Sequence, residues 1–258
     1  MVRVECILAP NPGPFTGPGT NTYLVVSGAE ALIIDPGPFD RTHEEAILDA
    51  LVDCRPKGIL VTHTHEDHAP LANQLARDLN VPAYGFAPGP AFKPDLLLAD
   101  EDRVRFGSEE VQAVHTPGHS RDHLCFLAGD GLFTGDHVMG GSSVVVEDMS
   151  AYLASLKRLQ QLRLERLYPG HGLVMVDPVG IVAGYIEHRL EREQQVLTAV
   201  KTGASTVMEI VQAVYADVDP ALHPLAAISV RAHLVKLADD GVVQRRGDDE
   251  VFVGRVVS

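Results

Sequence analysis

The sequence predicts a layered α/β sandwich with helices on its outer faces and a small helix–helix–hairpin domain at its C-terminal end. Three observations predict it. Short apolar runs of strand length alternate with helical periodicity through the first two thirds of the chain. Four of those runs stop at a turn that presents histidine or aspartate. Composition then changes after Asp177-Pro178, where a long charged segment without turn residues begins.

Taken in order, Val2 to Ala9 reads as a strand, and Pro10 to Thr20 as a Pro/Gly-dense loop that either shapes a pocket wall or serves as a tight connection. Tyr23 to Val26 and Ala31 to Ile34 form a hairpin pair ending at Asp35-Pro36-Gly37. Thr42 to Val52 is helical, with Thr42 as N-cap, Glu45 completing a capping box, and Pro56 as the stop. The apolar run Gly58 to Val61 follows, then a helix over Pro70 to Leu79 and a short strand over Val81 to Tyr84. Further short strands are Val104 to Phe106, Val111 to Val114, Leu124 to Leu127 and Leu132 to Phe133. Leu153, Leu156, Leu159 and Leu162 mark a helix over Ser150 to Leu162. Ile181 to Val200 reads as one solvated connecting helix with i,i+4 charge pairs. Ser205 to Ala216 and Leu225 to Asp239 are amphipathic helices, and Gly241 to Val253 is a hairpin with the acidic turn Asp248-Asp249-Glu250. Helix, helix and β-wing make the outline of a winged helix.

The chemistry concentrates at strand ends. Thr62-His63-Thr64-His65-Glu66-Asp67-His68 directly follows an apolar run. Imidazole nitrogens and carboxylate oxygens are donors that Zn²⁺ and similar cations prefer. Comparable turns carry His115-Thr116-Pro117-Gly118-His119, Thr134-Gly135-Asp136-His137 and Pro169-Gly170-His171. Glycine allows positive φ and close backbone approach, and proline restricts the chain, so each side chain is aimed with little slack. Four strand ends pointing to one place would build a metal site with two compartments. His115 and His119 flank the same Pro-Gly turn, and the residues alone leave both open as ligands. His123 and His137 lie beside ligand candidates and are expected to orient them or pack against them. Asp35 and Asn21 are turn or strand-end candidates for hydrogen bonds toward the pocket. His43, His188, His223 and His233 lie outside the motifs and read as structural.

Composition narrows the function classes. The 258 residues with 45% hydrophobic content suffice for one large core, or for one core and a small appended domain. Aromatic content is 5% with no Trp, which disfavours stacking platforms for bases or sugars. Thirty-five acids against 21 bases give a net charge of −14, which repels duplex nucleic acid at long range. Cys6, Cys54 and Cys125 are widely spaced, so neither a disulfide scaffold nor a thiolate zinc site follows, and a reducing cytoplasmic setting is expected. The N-terminal residues do not make a signal-peptide core, and no run approaches the roughly 20 apolar residues of a membrane span. Arg231, His233 and Lys236 on the second C-terminal helix are the only hint of a DNA-reading face, and the acidic balance opposes it. Gly-x-Ser-x-Gly is absent, so no serine nucleophile elbow is present.

The ordered set His63-x-His65-x-Asp67-His68, His119, Asp136 and His171 resembles the metallo-β-lactamase superfamily. Asn11-Pro12-Gly13-Pro14-Phe15-Thr16, Gly19-Thr20-Asn21-Thr22-Tyr23, Thr116 to His123, Tyr168 to Gly172 and the helix around His188-Arg189 resemble, more closely, the beta-lactamase-like protein 2 family. The likeness covers nearly the whole chain, the C-terminal winged helix included. It implies a four-layer αββα metallo-β-lactamase sandwich. The expected domains are a catalytic one over 1–180, a connecting helix over 181–201 and a winged helix over 202–258. It also implies that His63, His65 and His119 hold a first divalent cation, that Asp67, His68 and His171 hold a second, and that Asp136 bridges them. The ligand after Pro-Gly is then His119, which leaves His115 as a neighbour.

Two divalent cations, with zinc the expected metal, imply a hydrolase in which a bridging hydroxide attacks a carbonyl or phosphorus, with Asp67 orienting it as the catalytic residue. A small-molecule ester or thioester is the expected substrate. The alternative is an endoribonuclease cleaving single-stranded RNA, since the resembled family includes one, alongside fungal thioesterases that release polyketides from carrier protein. A β-lactamase and a ligand-sensing DNA-binding regulator stand behind these. Neither duplex DNA nor a membrane is an expected partner.

Overall fold

The computed structural model describes residues 2–140, 144–246 and 251–254. They divide into two compact units. The first comprises residues 2–117, 121–140 with 144, and 162–179; the second comprises 118–120, 145–161 and 180 onward.

The first unit holds two mixed sheets. β1 (Arg3–Leu8), β2 (Asn21–Ser27) and β3 (Glu30–Ile34) are antiparallel, after which α1 (Arg41–Ala50) leads to β4 (Arg55–Leu60), parallel to β3. α2 (Ala72–Leu79) leads to β5 (Ala83–Gly85), and β6 (Leu96–Leu97) completes a six-stranded sheet. β6 is absent from the sequence expectation because two residues carry no period to read. The second sheet is built from β7 (Arg103–Phe106), β8 (Glu109–His115), β9 (Leu124–Ala128), β10 (Gly131–Gly135) and β11 (Arg166–Pro169), ordered β11-β10-β9-β8-β7. Only β10 and β11 run parallel in it.

Side-chain alternation creates two separate cores from the same strands. In β2, β3 and β4, Leu24, Val26, Ala31, Ile33 and Ile59 face α1 and α2 and join Ile47, Leu71 and Leu75. Their neighbours Tyr23, Val25, Leu32, Ile34 and Leu60 face the other sheet and meet Val104, Phe106, Val111, Phe126 and Phe133. These strands are buried on both faces, so they read as continuous apolar runs.

Two expectations about α1 are corrected. Its cap is Asp40, whose carboxylate accepts from His43 N at 2.8 Å, so Thr42 is already inside the first turn and Glu45 pairs with Arg41 instead. The helix ends at Ala50, and Pro56 lies in β4 opposite Ala31, at an irregularity of the ladder where its missing N–H is tolerated.

In the second unit, α3 (Met149–Leu159) packs against the C-terminal helices. A single helix, α4 (Pro178–Lys201), precedes α5 (Val207–Val214), α6 (His223–Asp239) and the hairpin of β12 (Val243–Arg246) and β13 (Val251–Gly254). The acidic turn Asp248-Asp249-Glu250 falls outside the described residues. α4 is the single helix expected, but one of its faces is buried rather than solvated. Val196, Leu197 and Val200 join Val207, Ile210, Val230 and Leu234 in a core, and Arg189 and Glu193 are buried as well. Glu193 accepts from Lys236 Nζ of α6 at 3.0 Å.

α5 begins with a full capping box between Thr206 and Glu209. Thr206→Ala is expected to destabilise this unit by about 1 kcal/mol, read as a lower urea midpoint of the helical circular-dichroism signal.

Candidate metal centre

Ligand-capable side chains of the first unit collect at the C-terminal ends of parallel strands, where α/β sheets leave a crevice. β3 ends at Asp35, β4 at the His63–His68 loop, β10 at Asp136 and β11 at His171. The turns after β10 and β11 demand glycine for a local reason. Gly135 has φ +47°, and a Cβ there would lie 2.8 Å from both His123 Nε2 and Thr62 Oγ1. A Cβ on Gly170 would lie 2.6 Å from His68 Cε1 and 2.7 Å from Asp136 Oδ1.

Asp67, His68, Asp136 and His171 form one group, each offering a donor atom within 4.8 Å of the others. His68 Nε2 is 3.3 Å from His171 Nε2 and 3.3 Å from Asp136 Oδ1. His171 Nε2 is 3.1 Å from Asp67 Oδ2 and 3.4 Å from Asp136 Oδ1. The opposite ring nitrogens are already committed. His68 Nδ1 donates to Asp35 Oδ2 at 2.9 Å, and His171 Nδ1 donates to the Gly19 carbonyl at 3.2 Å. The Nε2 lone pairs of both rings therefore point at each other and at two carboxylates. Only positive charge stabilises such an arrangement, and a divalent cation with mixed nitrogen and oxygen donors fits it.

The proton affinities of the metal-free chain carry the same message. Burial opposes charge on His171, but its hydrogen bonds to Asp136 and Asp67 outweigh burial and lift its pKa to about 9. Burial also opposes the His68 imidazolium, yet Asp136, Asp67 and Asp35 raise it well above the ordinary histidine value. Burial would raise Asp67, and the neighbouring His68 charge and His171 hydrogen bond reverse this and bring it to about 2. Asp136 is held well below the carboxylate range by His68 and His171 against the cost of burial. Protons fill the place of a cation.

His63 and His65 stand beside this group, with Nε2 of one 2.9 Å from Nδ1 of the other. Thr62 Oγ1 donates its one proton to Asp35 Oδ2, so His63 Nδ1, 3.0 Å away, donates to Thr62, and His63 Nε2 is the nitrogen that accepts from His65 Nδ1. His119 lies on the 118–120 segment of the second unit, buried, with Nδ1 donating to the Val145 carbonyl at 2.8 Å.

The remaining candidates separate cleanly. His115 stacks on Phe86, with centroids 4.2 Å apart and planes within 5°, and its Nε2 meets the Arg121 carbonyl. His123 accepts from Asp136 N through Nε2 and meets Thr116 Oγ1 through Nδ1, which fixes the loop that carries Asp136. His137 is fully buried at the same turn. Asn21 Nδ2 reaches the Pro169 and Gly172 carbonyls and braces the His171 turn from both sides. Sequence reasoning held Asp35 and Asn21 only as candidates and had no means of finding the Gly19 carbonyl. The signal for Asp35 was the Asp-Pro-Gly turn at a strand end. Of the proposed recognition face, His233 is buried toward Glu193 and Lys236 is paired with it, so two of three bases point inward within their own unit.

Comparison with known proteins gives concordant findings. Residues 15–171 match the metallo-beta-lactamase superfamily, and residues 206–251 match the beta-lactamase associated winged helix domain. A beta-lactamase-like protein 2 homolog of Drosophila melanogaster is 34% identical, over 96% of this chain and 92% of its own. An atrochrysone carboxyl ACP thioesterase of a Cryptosporiopsis species is 34% identical, over 93% of this chain and 81% of its own. The crystal structure of a metallo-beta-lactamase family protein from Thermus thermophilus superposes with a TM-score of 0.83 at 22% identity, over 98% of each chain, and speaks to the fold.

Two outcomes are expected. Gly170→Ala should abolish uptake of one divalent cation by elemental analysis while the far-ultraviolet spectrum stays unchanged. Calorimetric titration of chelator-stripped protein with Zn²⁺ near pH 7.5, in two buffers of different ionisation enthalpy, should show net proton release. His171 with a pKa of about 9 is protonated at that pH and must be neutral to ligate, so affinity should fall as pH falls.

Proposed function

The chain belongs to the metallo-beta-lactamase superfamily, a hydrolase family, and from that membership we propose a thioester or ester hydrolase that works with two divalent cations, zinc first among them. His63, His65 and His119 would hold one ion; Asp67, His68 and His171 would hold the other, with Asp136 between. When bound, the ions supply a water of lowered pKa and polarise the substrate carbonyl oxygen.

The chain's own residues supply position and proton acceptance. The Asp67 carboxylate is a quarter exposed, in contrast to buried His68, and so reaches solvent from inside the ligand group. Standing among the ligand nitrogens of His68 and His171, at 3.5 and 3.1 Å, it would serve the cation as a carboxylate, so it can accept a hydrogen bond from an attacking water and has no proton to donate to a leaving group. That asymmetry is the observation that carries the reading. A thiol of ordinary pKa, about 8.5, departs as thiolate without an acid, whereas an alkoxide or amine needs one. Asp35 and the Gly19 carbonyl fix the tautomers of His68 and His171, so neither ring must reorganise during turnover. The thioesterase named among the relatives and the net charge of −14, which opposes polyanionic substrates, support the same choice. Cys6, Cys54 and Cys125 as free thiols fit a reducing, cytoplasmic setting. Among the described residues no helix is long and apolar enough to cross a membrane.

Zinc-loaded protein should hydrolyse acyl thioesters, followed by a thiol-reactive chromogen, while single-stranded RNA, lactones and β-lactams in parallel stay intact. RNA cleavage with untouched thioesters would overturn the thioester reading in favour of an endoribonuclease. Asp67→Asn should lower kcat by roughly 100-fold or more.

A further inference from the structure

We propose that His43 is a positioning residue for the His68 cation site, acting through Thr22 and Asp35. The proposal rests on reading Asp67, His68, Asp136 and His171 as ligands, and it adds a residue that no ligand motif contains.

The hydrogen-bond logic leaves one arrangement. Asp35 is not glycine, yet its φ is +49°, a conformation that persists only where surrounding contacts fix it. Its N–H donates to the Leu60 carbonyl at 2.9 Å. Its carboxylate accepts from Thr62 N and Thr62 Oγ1, each at 2.7 Å, and from His68 Nδ1 at 2.9 Å. Its carbonyl accepts from Thr22 Oγ1 at 2.6 Å. A hydroxyl has one proton, and this one goes to the carbonyl. Thr22 Oγ1 must therefore accept from His43 Nε2, 2.8 Å away, which makes His43 the Nε2–H tautomer. The chain of donors runs His43, Thr22, Asp35 carbonyl, and the Asp35 carboxylate then receives His68.

His43 also supports the turn mechanically. The ring is buried, and its Nδ1, without a hydrogen-bond partner among the described residues, is the lone-pair side. A Cβ on Gly37 would lie 3.3 Å from its Cδ2 and Nε2, so the imidazole packs flush against the turn that follows Asp35. Gly37 N donates to the His68 carbonyl at 2.9 Å, and the Gly37 carbonyl accepts from Leu71 N at 3.1 Å. One imidazole thus underlies both handles on His68, the side-chain bond to Asp35 and the backbone bond to Gly37. The Asp40 cap on His43 N sets where that imidazole stands.

The test uses zinc-loaded, full-length protein carrying His43→Leu, His43→Gln or Thr22→Val. Gln retains a donor where Nε2–H was, and Leu does not. Competition with a chelator should show one of two zinc ions weakened at least about tenfold in His43→Leu and Thr22→Val, with the other unchanged and the double variant no worse than either single one. His43→Gln should stay close to wild type. The His68 Nδ1–H resonance should be kept in His43→Gln and lost in His43→Leu. Equal weakening of both ions, no weakening of either, or a glutamine variant as poor as the leucine one overturns the relay. Wild-type protein that takes up no zinc overturns the cation reading instead. The His68 resonance still decides the relay in that case, because its persistence in His43→Leu refutes it.

Discussion

The carboxylate of Asp35 is the constraint on which the site depends. It ties the end of β3 to the end of β4 through Thr62 and aims His68 across the crevice. Three hydrogen bonds on one buried anion fix it within a narrow range of positions, and a ligand oriented by such an anion keeps one tautomer. The same economy recurs at His171 with the Gly19 carbonyl and at Asp136 with His123. The geometry of the candidate site is set as much by the atoms behind these side chains as by the side chains themselves.

These supports come from different depths of the chain. The first sheet supplies Asp35, the β1–β2 loop supplies Gly19, and the second sheet supplies His123 at the head of β9. The two faces of β2, β3 and β4 fill two cores at once, so the strand ends that carry the ligands cannot shift without disturbing packing on both sides. Rigid strands and glycine turns together give precision that loops alone would lack.

Much of this was legible beforehand. The His-x-His-x-Asp-His run and the Gly-flanked turns are local patterns, and apolar runs ending at polar turns placed the strands to within a few residues. What escaped was what local pattern cannot encode. The α1 cap went to Asp40 rather than Thr42 because the extended backbone before the helix selects the cap, and composition does not reveal it. The α4 helix reads as charged and solvated, yet Glu193 and Arg189 are buried, Glu193 against Lys236 and Arg189 over the Tyr152 ring, both distant in sequence. Support from a backbone carbonyl such as Gly19 leaves no residue-type signature at all. His43 reads as structural from the sequence, and only its buried hydrogen bond to Thr22 distinguishes it from packing.

The Pro/Gly loop between β1 and β2 connects strands and also props a ligand, since Gly19 lends its carbonyl to His171 and Thr20 bridges to the same residue. Were His171 to hold a cation as proposed, release of that ion would slacken His171 and with it the grip on this surface segment. A starved chain would then fray there first and offer proteases a foothold that the loaded form denies them. Survival of the polypeptide in the cell would in that way become a gauge of metal supply.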